Sequence, residues 1–383
     1  MSFSRPCNGK AFPFPLFLDC ISASADYGTE ISAASAIVMA ADGSCIYEKN
    51  ADERLRPASV TKVMTLLLVM EALDQGRIGW EDMITASEAA SAKGGSQVYL
   101  EPGEQMSLDE MLKAVVVSSA NDCATALAEH VAGSEAGFVD CMNARAAELG
   151  MTNTHFVNCT GLDDEPDADE HLTTARDIAI MSRELLKHPR IRDYTTIWMD
   201  SVRGGAFGLS NTNKLIRFYN GATGLKTGYT SAAGHCLSAS ALRDGMELIA
   251  VVLHCSSSSE CFSSAKALLD YGFANYAVVD PSPETPPDPV PVVLGTAEAV
   301  QPVPDDTAPI LIEKAQQSTV TRTVELAEAV EAPVIPGQQL GLLRVQVGGQ
   351  TLKEIPLVAA EGVEKLSFGD IFHRLLRRIC MGE

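Results

Sequence analysis

Residues 59–73, SVTKVMTLLLVMEAL, are apolar nearly all the way round a helix, so the rest of the chain has to enclose them. The run closes at Gly76. Two polar residues at its start, Ser59 and Lys62, fall on one helical face, one turn apart. That spacing carries no chemistry by itself, since Ser263 and Lys266 repeat it in SSAKALLDYGF.

The flanking segments alternate in kind. Residues 34–39 and 44–48 are short apolar stretches around Ala41-Asp42-Gly43, a hairpin signal. Ser107-Leu108-Asp109-Glu110 is a capping box that opens a helix, and 121–131 and 135–149 continue the helical region. Residues 236–242 and 247–254 flank Arg243-Asp244-Gly245 as a second strand pair, and 262–276 read as a closing helix. This order predicts an α+β fold in which both strand pairs form one antiparallel sheet with helices packed on it.

Composition changes after Tyr276. DPSPETPPDPVPVV is rich in proline and acid and marks a linker or domain start. Beyond it, strands are expected at 292–299, 310–315, 320–327, 340–347 and 352–358, the last two joined through Gly348-Gly349, giving a small all-β, sandwich-like module. FGDIFHRLLRRICMGE places Phe368, Ile371, Phe372, Leu375, Leu376 and Ile379 on one helical face and His373, Arg374, Arg377 and Arg378 on others. Such a basic amphipathic helix suits a membrane surface. Near the start, Arg5, Lys10, the apolar run 11–18 and Ala23-Ser24-Ala25 have the order of an export signal. The expected organisation is a signal over 1–25, a main α+β domain over 26–276, the β domain over 277–364 and an amphipathic membrane-surface helix over 365–383. Export would place the protein on the extracytoplasmic face of the cytoplasmic membrane, in the periplasm or cell wall space.

The formal charge of -21 argues against nucleic acid as a partner, because phosphate contact needs clustered Lys and Arg. The ten cysteines are scattered without a C-x-x-C pair, which excludes a zinc ribbon or thioredoxin-type motif. Cys123, Cys141, Cys236 and Cys255 lie in apolar runs and read as buried free thiols. The histidines show no H-E-x-x-H or H-x-x-E-H spacing and no glycine-rich nucleotide loop occurs, so neither a metal nor a cofactor is expected. DDEPDADEH (163–171) lacks EF-hand spacing and reads as a solvated loop.

Three short motifs carry chemistry together. Ser59-Val60-Thr61-Lys62 opens the enclosed helix, Ser119-Ala120-Asn121 follows the apolar run LKAVVV, and Lys226-Thr227-Gly228 precedes the strand at 236–242. A serine hydroxyl is a weak nucleophile and needs a base in contact with it. Lys62 serves as that base only if largely neutral, which burial and a second cation at Lys226 favour. Ser119 is placed to relay a proton to a leaving amine, and Asn121 to hold a substrate amide. Gly228 lets an edge strand approach a peptide that binds as an added strand. Thr227 offers a hydroxyl to a terminal carboxylate, and the backbone N–H groups of Ser59 and Tyr229 are candidates for an oxyanion hole.

The order S-x-x-K, S-x-N, K-T-G is that of penicillin-binding proteins and class A β-lactamases. With RPASVTKVMT, SSANDCATALAEH, FVNCTGL, HLTTARDIAIMS, TNKLI and GLKTGYTSAAGHCLSASALRDGMELIAVVL in sequence, the chain resembles the D-alanyl-D-alanine carboxypeptidases, the low-molecular-mass penicillin-binding proteins. The resemblance runs from about Ala33 to Tyr276, and the β module and terminal helix match the family's layout. It implies a β-lactamase/transpeptidase-like domain that removes the terminal D-alanine from peptidoglycan stem peptides through an acyl-serine intermediate and is acylated by β-lactam antibiotics. By motif position Ser59 is the nucleophile and Lys62 the base, with Ser119 and Asn121 as the second motif and Lys226, Thr227 and Gly228 as the third.

Two positions depart from the family. FVNCTGL carries Cys159 where proline is usual. SSSSECFSSAK has no arginine near Cys261, where relatives often hold the substrate carboxylate with one, which leaves Thr227 a larger share. The rival enzymatic reading, a class A-like β-lactamase, lacks its E-x-x-L-N segment between Asn121 and Lys226. A non-catalytic cell-wall binding protein is the alternative outside enzymes, and the intact motifs argue against it.

Overall fold

The computed structural model describes residues 31–164 and 167–381; the signal expected at 1–25 lies outside them. Two compact units are present, one running to Leu242 and resuming over Glu247–Asp270, the other comprising Arg243–Met246 and the chain from Tyr271.

The first unit is built on a five-stranded sheet in the order Cys45–Lys49, Ser35–Ala40, Met246–Cys255, Gly234–Arg243, Ala222–Thr230. Both expected strand pairs lie in it, with Ile37 opposite Val251 in antiparallel register. The edge strand expected at Gly228 is Ala222–Thr230; ATGLKTGYT has no apolar alternation to mark its bounds. It is the last strand of the sheet, so its outer edge is open to strand addition.

The helical region between the first and second hairpins wraps the helix Lys62–Asp74. Val63, Met64, Leu66, Leu67, Val69 and Met70 are at most 2% exposed, against the helices Ala175–Leu186, Asn121–Ala132 and Glu135–Glu148. Each such side chain contributes ~1.5–3 kcal/mol on burial, so the helix start is held by the whole core. The α geometry begins at Lys62 and not at Ser59. Residues Ala58–Thr61 form a 3₁₀ turn, entered from Ala58 at φ +47°. The capping box at Ser107 is formed, its Oγ accepting from the Glu110 N–H at 3.2 Å. The closing helix spans Ser258–Asn275, starting before the expected 262 because Ser257 Oγ accepts from the Glu260 N–H. A serine run with low helix propensity conceals that cap.

Beyond Asn275 the second unit is all-β apart from a 3₁₀ turn and its last helix. Its longest hairpin, Gln339–Val347 with Gln350–Ala359, turns on Gly348 and Gly349 at φ +57° and +84°, as expected of two glycines between apolar runs. Leu343, Val345, Ile355 and Leu357 form a core beneath it. The strand expected at 292–299 is two, Val290–Val293 and Ala299–Val300, paired antiparallel with Val290 opposite Val300. The chain doubles back at Gly295, where a Cβ would stand 2.6 Å from Val292 Cγ1. The helix Phe368–Met381 leaves Phe368, Phe372, Leu376 and Ile379 exposed. No helix among the described residues is long and apolar enough to cross a membrane.

Among the cysteines, Cys123, Cys159, Cys236, Cys255 and Cys261 are buried free thiols. Cys141 is exposed, because it lies on the solvent side of the helix Glu135–Glu148.

Candidate active site

Ser59 sits on the 3₁₀ turn at the mouth of a cleft of about 300 Å³ that Ser119, Thr227, Gly228 and Tyr229 also line. Lys62, fully buried, places Nζ 3.0 Å from Ser59 Oγ. The same nitrogen donates to Asn121 Oδ1 at 2.5 Å and to the Thr160 carbonyl at 2.9 Å. Neither acceptor can return a proton. A neutral amine has two N–H groups and one lone pair; the two N–H groups are taken, and the lone pair is left facing the Ser59 hydroxyl. Burial pushes the Lys62 ammonium down to about 7, against the opposing pull of the Asp122 carboxylate.

Asn121 opens the helix Asn121–Ala132. Its Nδ2 donates to the Gly94 carbonyl at 2.7 Å, so both ends of its amide are engaged and the residue is 2% exposed. In this arrangement it orients Lys62. Ser119 takes φ +64°, a left-handed conformation costly for a non-glycine residue and found mainly where a site requires it. Asp122, the residue after Asn121, is buried and accepts from the N–H groups of Val98, Leu100 and Cys123, which ties the wall segment 96–100 to the helix start.

The third motif occupies the outer strand. Gly228 has no room for a side chain: a Cβ there would stand 2.7 Å from the Pro57 carbonyl oxygen and 3.0 Å from the N atoms of Ser59 and Val60. The strand backbone therefore lies directly on the nucleophile turn. Thr227 Oγ1 donates to Thr212 Oγ1 at 2.7 Å. Lys226 is buried, with Nζ donating to the Thr227 carbonyl at 3.0 Å. Burial, with the nearby Lys62 charge in second place, holds Lys226 well below the usual lysine range. The two buried ammonium groups repel each other, and burial is the largest cause of the downward shift at both.

Four further residues build the site without belonging to any motif. Asn158 Oδ1 accepts from the N–H groups of Thr160 and Gly161, and its Nδ2 donates to the Leu162 carbonyl. This fixes the loop whose Thr160 carbonyl holds Lys62. Thr65 Oγ1 donates to the neighbouring Cys159 carbonyl at 2.7 Å. His171 is buried beside Thr61, 2.8 Å from its Oγ1, while His171 Nδ1 accepts from the Val157 N–H. Its Nε2 therefore carries the hydrogen that Thr61 receives. The available signal was FVNCTGL itself, whose asparagine and glycine mark a tight turn. Cys159, in place of proline, donates from Sγ to Glu135 Oε1 at 3.2 Å.

A model of the family described as D-alanyl-D-alanine carboxypeptidase matches residues 21–257, and one described as penicillin-binding protein 5, C-terminal domain, matches residues 284–365. The D-alanyl-D-alanine carboxypeptidase DacF of Bacillus subtilis (strain 168) is 41% identical over 349 residues, 88% of this chain and 87% of that protein. The crystal structure of penicillin-binding protein 5 from Haemophilus influenzae is similar with a TM-score of 0.73 at 30% identity, covering 88% of this chain and 99% of that one. Penicillin-binding protein D2 from Listeria monocytogenes in its ampicillin-bound form gives a TM-score of 0.58 at 32% identity, covering 63% of this chain and 98% of that one.

Proposed function

This chain belongs to the D-alanyl-D-alanine carboxypeptidase family and is a serine peptidase of it, and from that premise we propose that it removes the terminal D-alanine of peptidoglycan stem peptides through an acyl-enzyme on Ser59. The observation that carries the reading is the Lys62 amine, 3.0 Å from Ser59 Oγ with both its N–H groups committed elsewhere.

The stem peptide adds as a strand to the outer edge of Ala222–Thr230. Lys62 takes the Ser59 proton as Oγ attacks the penultimate carbonyl carbon. The oxyanion is received by the N–H groups of Ser59 and Tyr229, and a pair of such donors accounts for several kcal/mol of catalysis. As the C–N bond breaks, the ammonium of Lys62 returns the proton through the Ser119 hydroxyl to the departing D-alanine amine. Water, activated by the same amine, then releases the shortened peptide. A β-lactam follows the first half of this course and remains on Ser59, a reading supported by the ampicillin-bound relative. A Ser59→Ala protein should release no D-alanine from an acyl-D-Ala-D-Ala peptide; release at the wild-type rate would overturn the reading.

The protein acts outside the cytoplasm in this account, with the helix Phe368–Met381 lying on the membrane surface through its exposed Phe368, Phe372, Leu376 and Ile379. Full-length protein should sediment with anionic vesicles and a chain ending at Ser367 should not; equal sedimentation would remove the anchor from the account.

A further inference from the structure

The cleft beside Ser59 is walled largely by hydroxyls, from Ser96, Ser119, Thr212, Thr227 and Ser258. A carboxypeptidase acts next to a free carboxylate, so its cleft has to receive a negative charge. The two site lysines do not present one to balance it: Lys62 and Lys226 are sealed at 0% and 1% exposure. Among the described residues that line the cleft, His235 is the one whose side chain can carry a positive charge, and no carboxylate lines it.

Strand register puts His235 in the right place. Successive side chains of a strand point to opposite faces. The missing Gly228 side chain points at the nucleophile turn, so Thr227 and Tyr229 point to the other face. His235 is the direct cross-strand partner of Tyr229, and Leu237 that of Thr227. His235 therefore shares a face with Thr227 as its diagonal neighbour, within reach of one small ligand group. The imidazole, which lines the cleft, stacks on the Tyr229 ring with centroids 4.4 Å apart, which fixes the plane of the ring while its nitrogens lie on the ring edge and not against the tyrosine face. The other titratable groups there are Tyr229 from the outer strand, Cys236 from its own strand and Cys261 from the helix Ser258–Asn275.

We infer that His235 recognises the terminal carboxylate of the substrate, together with the Thr227 and Thr212 hydroxyls. The hydroxyl pair, joined at 2.7 Å, supplies hydrogen bonds without charge. An imidazole donates an N–H in either protonation state and adds charge when protonated. The assignment rests on the peptidase reading and makes His235 a specificity-determining residue with no part in proton transfer at Ser59.

The test uses the full chain and two substrates, an acyl-D-Ala-D-Ala peptide with a free C-terminus and the same peptide as its C-terminal amide. The wild type should prefer the acid. His235→Gln should raise KM for the acid about 10-fold with kcat kept within a few-fold, leave the amide unchanged and so collapse the preference. His235→Arg should restore it, which also shows that the site stays folded. A wild type without the preference, or a His235→Gln protein that keeps it, overturns the assignment while the peptidase reading stands. A wild type that cleaves the D-Ala–D-Ala bond of neither peptide, releasing neither D-alanine from the acid nor D-alaninamide from the amide, overturns the peptidase reading and this assignment with it.

Discussion

Gly161 lies so close to Ala58 that a Cβ on it would stand 1.8 Å from the Ala58 carbonyl oxygen. The loop that holds Lys62 through Thr160 is thereby laid directly on the turn that presents Ser59. Base and nucleophile are aligned by one backbone contact between segments a hundred residues apart in the chain.

Gly161→Ala should break that alignment. The residue has φ +82° as well as no free space, so overpacking and backbone strain together should cost about 2–4 kcal/mol. A thermal melt should show the lower midpoint, and penicillin labelling should slow by about 100-fold or more, the scale of a 1 Å misplacement.

Acylation should follow the neutral fraction of Lys62. Burial brings its ammonium down to about 7, so the amine is a base above that pH and a charged acid below it. The acylation rate should rise through pH 6–8 with its midpoint near 7. Lys62→Met should lower the rate by about 10²–10⁴-fold and abolish this limb. Stopped-flow labelling across the range checks both, and an unchanged limb in the variant would remove Lys62 from the role of base.

Asn121 allows the sign to be tested from the other side. Asn121→Ala removes an acceptor from Lys62 and should slow acylation by about 10–100-fold without moving the pH midpoint upward. Asn121→Asp sets a carboxylate against Lys62 Nζ, which favours the charged amine. Its midpoint should therefore move to higher pH. A shift to lower pH would contradict the geometry at this nitrogen.

His171 should make the protein acid-labile. Burial, and then the charge of His155, push its imidazole down to about 4. An unfolded histidine takes its proton near 6.5, so as pH falls below that value the unfolded state binds the proton first. Stability is then lost between about 6.5 and 4, at ~1.4 kcal/mol per unit of pH. Urea midpoints at pH 7 and pH 5 should differ by more in the wild type than in His171→Gln, and parallel slopes would show that another group is responsible.

The sequence made the motif residues legible because each is short, polar and set beside an apolar run. Two pairs of identical spacing were separated by setting: Lys62 is sealed in the core, whereas Lys266 is exposed and Ser263 Oγ donates to the Glu260 carbonyl of its own helix. The enclosed helix also follows from its own composition, since no amphipathic face is offered to water. The partners of Lys62 were not legible in the same way. Thr160 contributes a backbone carbonyl, which no side chain announces, and lies 98 residues from Lys62. The edge strand at Gly228 was legible but the bounds of Ala222–Thr230 were not, because the glycine and lysine that serve the site weaken its strand pattern. His235 looks like any polar strand residue until register sets it beside Thr227.

The most direct measurement is mass spectrometry of the intact protein after benzylpenicillin, followed by peptide mapping. One adduct should appear, on the peptide that carries Ser59, and should be absent from Ser59→Ala. An adduct on the peptide carrying Ser263, or a Ser59→Ala protein that is still labelled, would contradict the account at its centre.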